Sequence, residues 1–332
     1  MSTKINLLEI FTKNSSTYIS GQELATKLGI SRNSVWKAIK KLQDEGYNIE
    51  SKPSVGYRLL SEADVLSAAC IKDLINIPCK VNAFHKLTST NDYAKTVDDL
   101  SVPNIIIANE QTKGRGRLGR SFYSPASKGI YFTIVFEPDF GLEKAMLVTT
   151  LSAVAICHAF EEITGIGPKI KWVNDLYLNN KKVCGILTEA ESNFETGRIT
   201  RILVGIGINC FEQRFPEDIK DRATFIENPP KEFNRNELIA SIVNNFFNLL
   251  NDFDRKKLLR DYKSRSMILG QPIRIYGTSH GDLPENGGKG IKARAIDIDE
   301  NGGLVVEYME GPMFRQMETI TSGEVTIRKE NY

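Results

Sequence analysis

Seven residues, Gly114-Arg115-Gly116-Arg117-Leu118-Gly119-Arg120, constrain this chain more than any other stretch. Three glycines and three arginines alternate just after the apolar run 104–108. Arginine carries a planar fork of donors that suits carboxylate and phosphate oxygens. Glycine lacks a Cβ, so the backbone reaches positive φ and its N–H groups can approach a bound group closely. The stretch therefore reads as a mobile, cationic loop that folds over an anion. Two familiar phosphate loops are excluded by context. Gly114, Gly116 and Gly119 spell the G-x-G-x-x-G dinucleotide fingerprint, and residues 114–121 nearly spell a P-loop, with Arg120 where lysine should stand. Each requires a helix directly afterwards, and Ser121-Phe122-Tyr123-Ser124-Pro125 is poor helix material. The plain alternative is a solvated basic loop, because charge runs are commonly that.

The first sixty residues carry a different signal. Ser20 stands three residues before Glu23, a capping-box spelling for a helix through Leu24 and Leu28. Gly29 ends it, Ser31 offers a new N-cap, and Val35, Ile39 and Leu42 repeat at helical spacing. Two helices around a short turn form the helix-turn-helix pattern over residues 21–40. From Ser31 to Lys41 there are four bases and no acid. Ser31, Arg32, Asn33 and Ser34 occupy the N-terminal end of the second helix, where a recognition helix meets bases and phosphates. Trp36 and Lys37 follow as further DNA-binding candidates, with Trp36 readable either as a stacked surface residue or as a core residue. Alternation through Tyr47-Asn48-Ile49-Glu50 and Gly56-Tyr57-Arg58-Leu59 reads as a small hairpin, a wing. A helical packing domain with a basic solvated face is the other reading of this segment. Its boundary falls near Ser61-Glu62-Ala63, giving a first domain of 1–62.

Between about 64 and 262, short apolar runs at 80–85, 104–108, 130–136, 170–172, 182–189 and 202–208 read as strands. Helices are expected at 65–75, 146–160 and 238–253. Strands cluster in the middle, so the class is α+β rather than strict βαβ alternation. Four clusters join the arginine loop. Ser89-Thr90-Asn91 offers hydroxyl and amide groups that donate and accept at once, suiting a neutral polar ligand such as a urea or amide, or simply capping a helix. Lys171-Trp172-Val173-Asn174-Asp175 ends in turn chemistry and fits a hairpin. Lys182 enters a strand that continues through Cys184 and Gly185, and a lysine there is a fixed positive charge if it faces a pocket. Gly205 and Gly207 interrupt an apolar strand, which points to close approach of a ligand or another backbone.

The chain closely resembles the bifunctional biotin protein ligases, also called biotin operon repressors. The resemblance rests on Ser89-Thr90-Asn91, Gln111, the loop 114–120, Lys171 to Asp175, Lys182, Gly185 and the run Gly205 to Asn209, together with the helix-turn-helix. Two departures are Val173, where the family usually has proline, and Phe122, where it usually has tryptophan. The resemblance implies a winged helix-turn-helix (1–62), a central mixed-sheet ligase domain of class II synthetase-like fold (63–268) and a small SH3-like β-barrel (269–332). It implies that biotin and ATP, with Mg²⁺, react to biotinyl-5′-adenylate, and that biotin then passes to a lysine of a biotin carboxyl carrier protein. Ser89, Thr90, Asn91, Gln111, Gly114, Arg115, Gly116, Arg117, Lys182, Gly185, Gly205 and Gly207 would then hold biotin. Arg117, Arg120, Lys182 and Asn209 would hold the nucleotide. Lys182 and Arg117 would be catalytic through charge, and no residue is assigned to a resident metal. The adenylate-bound homodimer would repress transcription on operator DNA. A ligand-sensing repressor without ligase activity and a lipoate-type acyl ligase are the rival readings.

The C-terminal stretch alternates as strands around Asn301-Gly302, a hairpin-turn dipeptide. Composition adds exclusions. A net charge of +2 predicts no partner by itself, so any nucleic-acid signal must be local. Five cysteines without a C-x-x-C pair argue for reduced thiols, against a disulfide scaffold or zinc site. His158, inside an apolar helical run, is expected to be packed. With no signal peptide and no long apolar run, a cytoplasmic protein without a membrane partner is expected.

Overall fold

The computed structural model describes residues 3–14, 17–44, 49–59, 65–276 and 289–327, and the chain divides into two compact units. One comprises Met1–Ser67 with Asn234–Asn236; the other comprises Ala68–Phe233 with Glu237–Tyr332. The expected boundary at 62/63 and the wing residues Tyr47 and Asn48 lie outside the described residues.

In the first unit, α1 (Thr3–Lys13), α2 (Gly21–Leu28) and α3 (Arg32–Asp44) surround a core of Leu7, Phe11, Leu24, Val35, Ile39 and Leu42. Ser20 caps α2 by accepting the Glu23 N–H at 3.1 Å, and Gly29 leaves the helix at φ +64°. Ser31 caps α3 by accepting the Ser34 N–H at 3.1 Å. Burying Val35, Ile39 and Leu42 turns Ser31, Arg32, Asn33, Ser34, Trp36 and Lys37 to the outside. Trp36 is half exposed, with the Lys40 ammonium 6.0 Å from its ring centre, so it is a surface residue. Strands β1 (Ile49–Lys52) and β2 (Gly56–Leu59) form the antiparallel wing. Two backbone hydrogen bonds between Ile19 and Tyr57 tie it to the start of α2.

The second unit begins with α4 (Ala68–Leu74), β3 (Lys80–Phe84), α5 (Thr90–Ala94), β4 (Asn104–Ala108) and β5 (Gly129–Phe136). There follow α6 (Leu142–Met146), α7 (Val148–Thr164), β6 (Lys169–Lys171), β7 (Asp175–Leu178), β8 (Lys181–Ser192) and β9 (Ile199–Asn209). Helices α8 (Arg235–Asn251), whose first two residues belong to the first unit, and α9 (Arg255–Arg265) follow. Seven strands form one mixed sheet in the order β3-β4-β5-β9-β8-β7-β6, in which β3 and β4 are parallel and the other pairs antiparallel. Asn179 and Asn180, both at positive φ, make the tight β7–β8 turn.

Register decides which residues share a face, because strand side chains alternate. Thr133, Gly205 and Leu187 pair across β5, β9 and β8, as do Tyr131, Gly207 and Gly185 one step along. This face carries α5, whose Asn91 reaches Thr133. The opposite face carries α7, where Thr149 meets Thr188 of β8, and α8, where Phe246 and Phe247 pack edge-on against Phe136. Helix α7 is apolar nearly all round because most of it is buried. His158, the packed residue expected from its context, bonds Asp261 of α9 at 2.6 Å.

The chain ends in a five-stranded antiparallel sheet, β13-β12-β11-β10-β14, of β10 (Pro272–Tyr276), β11 (Ile291–Ile298), β12 (Leu304–Tyr308), β13 (Met317–Ile320) and β14 (Glu324–Ile327). Gly302, at φ +84°, forms the expected turn between β11 and β12. The five cysteines are free thiols. Among the described residues no helix is long and apolar enough to cross a membrane.

Candidate active site

The cleft forms on the α5 face because glycine stands where that face would otherwise carry side chains. A Cβ at Gly205 would lie 2.1 Å from Asn91 Oδ1, and one at Gly207 would lie 2.6 Å from the Phe122 ring. One at Gly185 would meet the Lys182 ammonium at 3.0 Å and Phe122 at 3.2 Å. The glycines were expected to admit a ligand or a neighbouring backbone; in the structure the Asn91 amide and the Phe122 ring come close over them, and all three glycines line the cleft. The resulting cleft, about 450 Å³ including its open mouth, is lined by Ser89, Thr90, Asn91, Gln111, Arg115, Gly116, Arg117, Phe122, Asn174, Lys182, Gly185, Leu187, Gly205 and Gly207.

One end is neutral and polar. Ser89, extended in backbone, caps α5 by accepting the Asp92 N–H at 3.3 Å, the helix-cap reading, and it also lines the cleft. The Thr90 N–H donates to Gln111 Oε1 at 2.8 Å, and Gln111 Nε2 donates to Ser124 Oγ at 3.0 Å.

The other end is cationic. The arginine loop closes on itself as a hairpin: Phe122 N–H bonds the Gly114 carbonyl and Gly116 N–H the Arg120 carbonyl. A single 3-10 turn, Arg117–Gly119, forms its apex, with Leu118 and Gly119 at positive φ. Gly114 is required in the stem, since a Cβ there would lie 2.4 Å from the Phe122 carbonyl oxygen. Arg115 reaches back to Asp92 at 2.9 Å and to Glu189 at 3.3 Å. Arg117 donates to Asn174 Oδ1 at 3.2 Å, and burial pulls its guanidinium below the usual range. Lys182 pairs with Asp175 at 2.6 Å.

Behind Lys182 stand Lys171 and Tyr177, 3.5 Å apart. Burial lowers the Lys171 ammonium and raises the Tyr177 phenol. Burial alone would raise the Glu189 carboxyl, but Lys95, Asn91 and Arg115 outweigh it and hold it below its ordinary value. Arg120 stands outside the lining and pairs with Glu324 of β14. Asn209 is also outside it, buried and donating to the Thr224 carbonyl at 2.9 Å. The segment it anchors pairs with the strand carrying Lys182, through Lys182 N–H to Arg222 and Thr224 N–H to Lys182.

The turn of Lys171 to Asp175 is held from two sides. Trp172 Nε1 donates to the Gly302 carbonyl at 2.9 Å, and the Tyr262 hydroxyl of α9 donates to the Val173 carbonyl at 3.1 Å. The Trp172–Val173 peptide is cis. Sequence reading missed the carboxylates Asp92, Glu189 and Glu324, and the buried Thr133, whose partners are far away in the chain. The signal available for Glu189 was its same-face spacing from Gly185 and Leu187 along one strand.

Residues 83–209 match the model of the biotin/lipoate A/B protein ligase family, residues 3–58 an HTH domain and residues 283–328 the biotin protein ligase C terminal domain. The chain is 33% identical to the bifunctional ligase/repressor BirA of Bacillus subtilis, over 92% of this chain and 94% of that one. It is 26% identical to the protein of the same name from Escherichia coli, over 87% and 88% of the two chains. Among solved structures, the biotin protein ligase of Aquifex aeolicus in complex with biotin and ATP superposes with a TM-score of 0.61 at 29% identity. That match covers 75% of this chain and 99% of that one.

Proposed function

The chain belongs to the biotin protein ligase family, and from that premise we propose how its cleft and its helix-turn-helix divide the work of a ligase that is also a repressor. The protein activates biotin with ATP and transfers it to carboxyl carrier proteins, and its helix-turn-helix binds DNA. The carrying observation is that one cleft brings together neutral hydrogen-bonding side chains, Ser89, Thr90 and Gln111, and cations, with Arg117 beside Asn174, Lys182 beside Asp175, and Arg115 held by Asp92 and Glu189.

Joining a carboxylate to a triphosphate brings like charges together, so the site must neutralise both. In the first step a biotin carboxylate oxygen bonds the α-phosphorus of ATP as the bond to the β-phosphate oxygen breaks and pyrophosphate leaves. Arg115, Arg117 and Lys182, each already facing an acceptor, exchange that acceptor for substrate oxygens. Charge-assisted hydrogen bonds contribute roughly 1.5–3 kcal/mol each, and those that tighten on the developing charge speed the step. Lys182 acts by charge at the carboxylate and α-phosphate and is not a nucleophile. A magnesium ion carried by the triphosphate would find hard carboxylate oxygens at Asp175 and Glu324, which here pair with Lys182 and Arg120, and would add positive charge beside the phosphates. In the second step the amine of a carrier lysine attacks the acyl carbon and AMP leaves.

Ser89, Thr90, Asn91 and Gln111 hold the ureido ring, with Gly185, Gly205 and Gly207 as floor. Gly114, Arg115, Gly116 and Arg117 close over the adenylate and keep water from the mixed anhydride. Arg120 and Asn209 shape the nucleotide side. The neutral side chains suit a urea better than the apolar ring of a lipoyl group, which supports biotin over the lipoate reading. The adenylate orders the loop, promotes a homodimer through the central sheet and so sets two recognition helices on a palindromic operator. Incorporation of labelled biotin into a carrier domain with ATP tests the assignment. Lys182→Ala should abolish it with the fold intact, and undiminished labelling would remove Lys182 from its role.

A further inference from the structure

Beneath the neutral end of the cleft, and outside its lining, lies a hydroxyl that the reaction does not touch. Thr133 is fully buried in the middle of β5. Its Oγ1 stands 2.7 Å from Asn91 Oδ1 and 2.8 Å from Thr90 Oγ1. A hydroxyl has one proton to give, so it cannot donate to both.

The neighbours decide where that proton goes. Asn91 Nδ2 donates to Glu189 Oε2 at 2.8 Å and lies 3.4 Å from the Leu187 carbonyl, both acceptors, so the Asn91 amide is fixed with its oxygen towards Thr133. That oxygen only accepts, and the Thr133 proton is committed to it. The 2.8 Å contact with Thr90 then has Thr90 as donor. Its other acceptor, Gln111 Oε1, is farther away at 3.2 Å and already receives the Thr90 N–H. The chain of bonds thus runs one way, from Thr90 through Thr133 to Asn91, and ends on the Glu189 carboxylate, which Lys95 and Arg115 hold ionised.

We propose that Thr133 is a positioning residue that fixes the proton direction of Thr90 and Asn91 and so presents the Thr90 hydroxyl oxygen to the cleft as an acceptor. The ligand group selected there is an N–H donor, such as a ring N–H of a cyclic urea. A group offering only acceptors meets lone pairs. This rests on the ligase reading, with biotin's urea at the neutral end, and deepens it.

Thr133→Val keeps the volume and suits a strand, but removes the proton that orders the chain. Thr133→Ser keeps it. With full-length protein, the KM for biotin in adenylate formation should rise at least tenfold in Thr133→Val, while kcat and the KM for ATP change less than twofold. Calorimetric biotin affinity should fall in parallel, and Thr133→Ser should stay within threefold of wild type on every measure. If Thr133→Val does not fold, Thr133→Ala takes its place against Thr133→Ser. A biotin KM in Thr133→Val equal to wild type would overturn the proposal, as would equal losses in the Ser and Val variants, or a fall in kcat without a change in KM. A wild-type protein that turns over no biotin would instead overturn the ligase reading beneath it.

Discussion

Gly205 has no room for a side chain because Asn91 already occupies the space above it. A methyl there would stand 2.1 Å from the amide oxygen, and Asn91 is held by Thr133 and Glu189 and cannot yield cheaply. Gly205→Ala should therefore cost about 1–3 kcal/mol of stability from overpacking and weaken biotin binding at least tenfold, read by thermal melting and calorimetry. Glu189 gives a pH signature. Its carboxyl sits below the ordinary 4.5, so the stability it contributes is fully present above that value and is lost as pH falls through the lower folded value. Wild type should melt above Glu189→Gln at pH 6, with the gap closing below about pH 4.5; a gap independent of pH would remove the ion pairs from the account. At this scale the chemistry was legible where residues advertise it in a run, as in the arginine loop. Thr133 and Glu324 were not legible, because a hydroxyl in a strand and an acid near the C terminus acquire meaning only from partners many residues away.

Elements reach the site with unequal clarity in the sequence. Strands β4, β5 and β9 are apolar runs bounded by turn residues, and their positions follow from periodicity. Helix α9 was missed: only Leu258, Leu259 and Tyr262 of its eleven residues are buried, too few to show a stripe, although Asp254 caps it by accepting the Lys257 N–H at 3.0 Å. Yet α9 reaches the turn that carries Asn174, through the Tyr262 hydroxyl. Tyr262→Phe should lose about 1 kcal/mol and lower kcat more than it raises the KM for biotin, because the turn positions Asn174 beside Arg117 rather than the urea end. Steady-state kinetics at varied biotin checks this, and an unchanged kcat would make the bond structural only. Pairing order was equally hidden. Nothing in the local pattern of β8 says that β9 rather than β5 lies beside it, and only that order brings Gly185, Gly205 and Gly207 onto one floor.

Over the whole molecule, DNA recognition and acyl transfer occupy separate compact units. Lys37, exposed on α3, is suited to a phosphate contact. Lys37→Ala should weaken operator binding and reduce the slope of log affinity against log salt by about 1, while biotin-dependent turnover stays at the wild-type level. The central claim is that one cationic loop, with the ammonium of Lys182 behind it, brings two anions together. Exchange of labelled pyrophosphate into ATP reads that step alone, with no carrier or DNA present. The account predicts exchange that requires biotin, disappears in Lys182→Ala and falls by orders of magnitude in Arg117→Ala. Exchange that proceeds without biotin, or survives loss of the Lys182 ammonium, would contradict it.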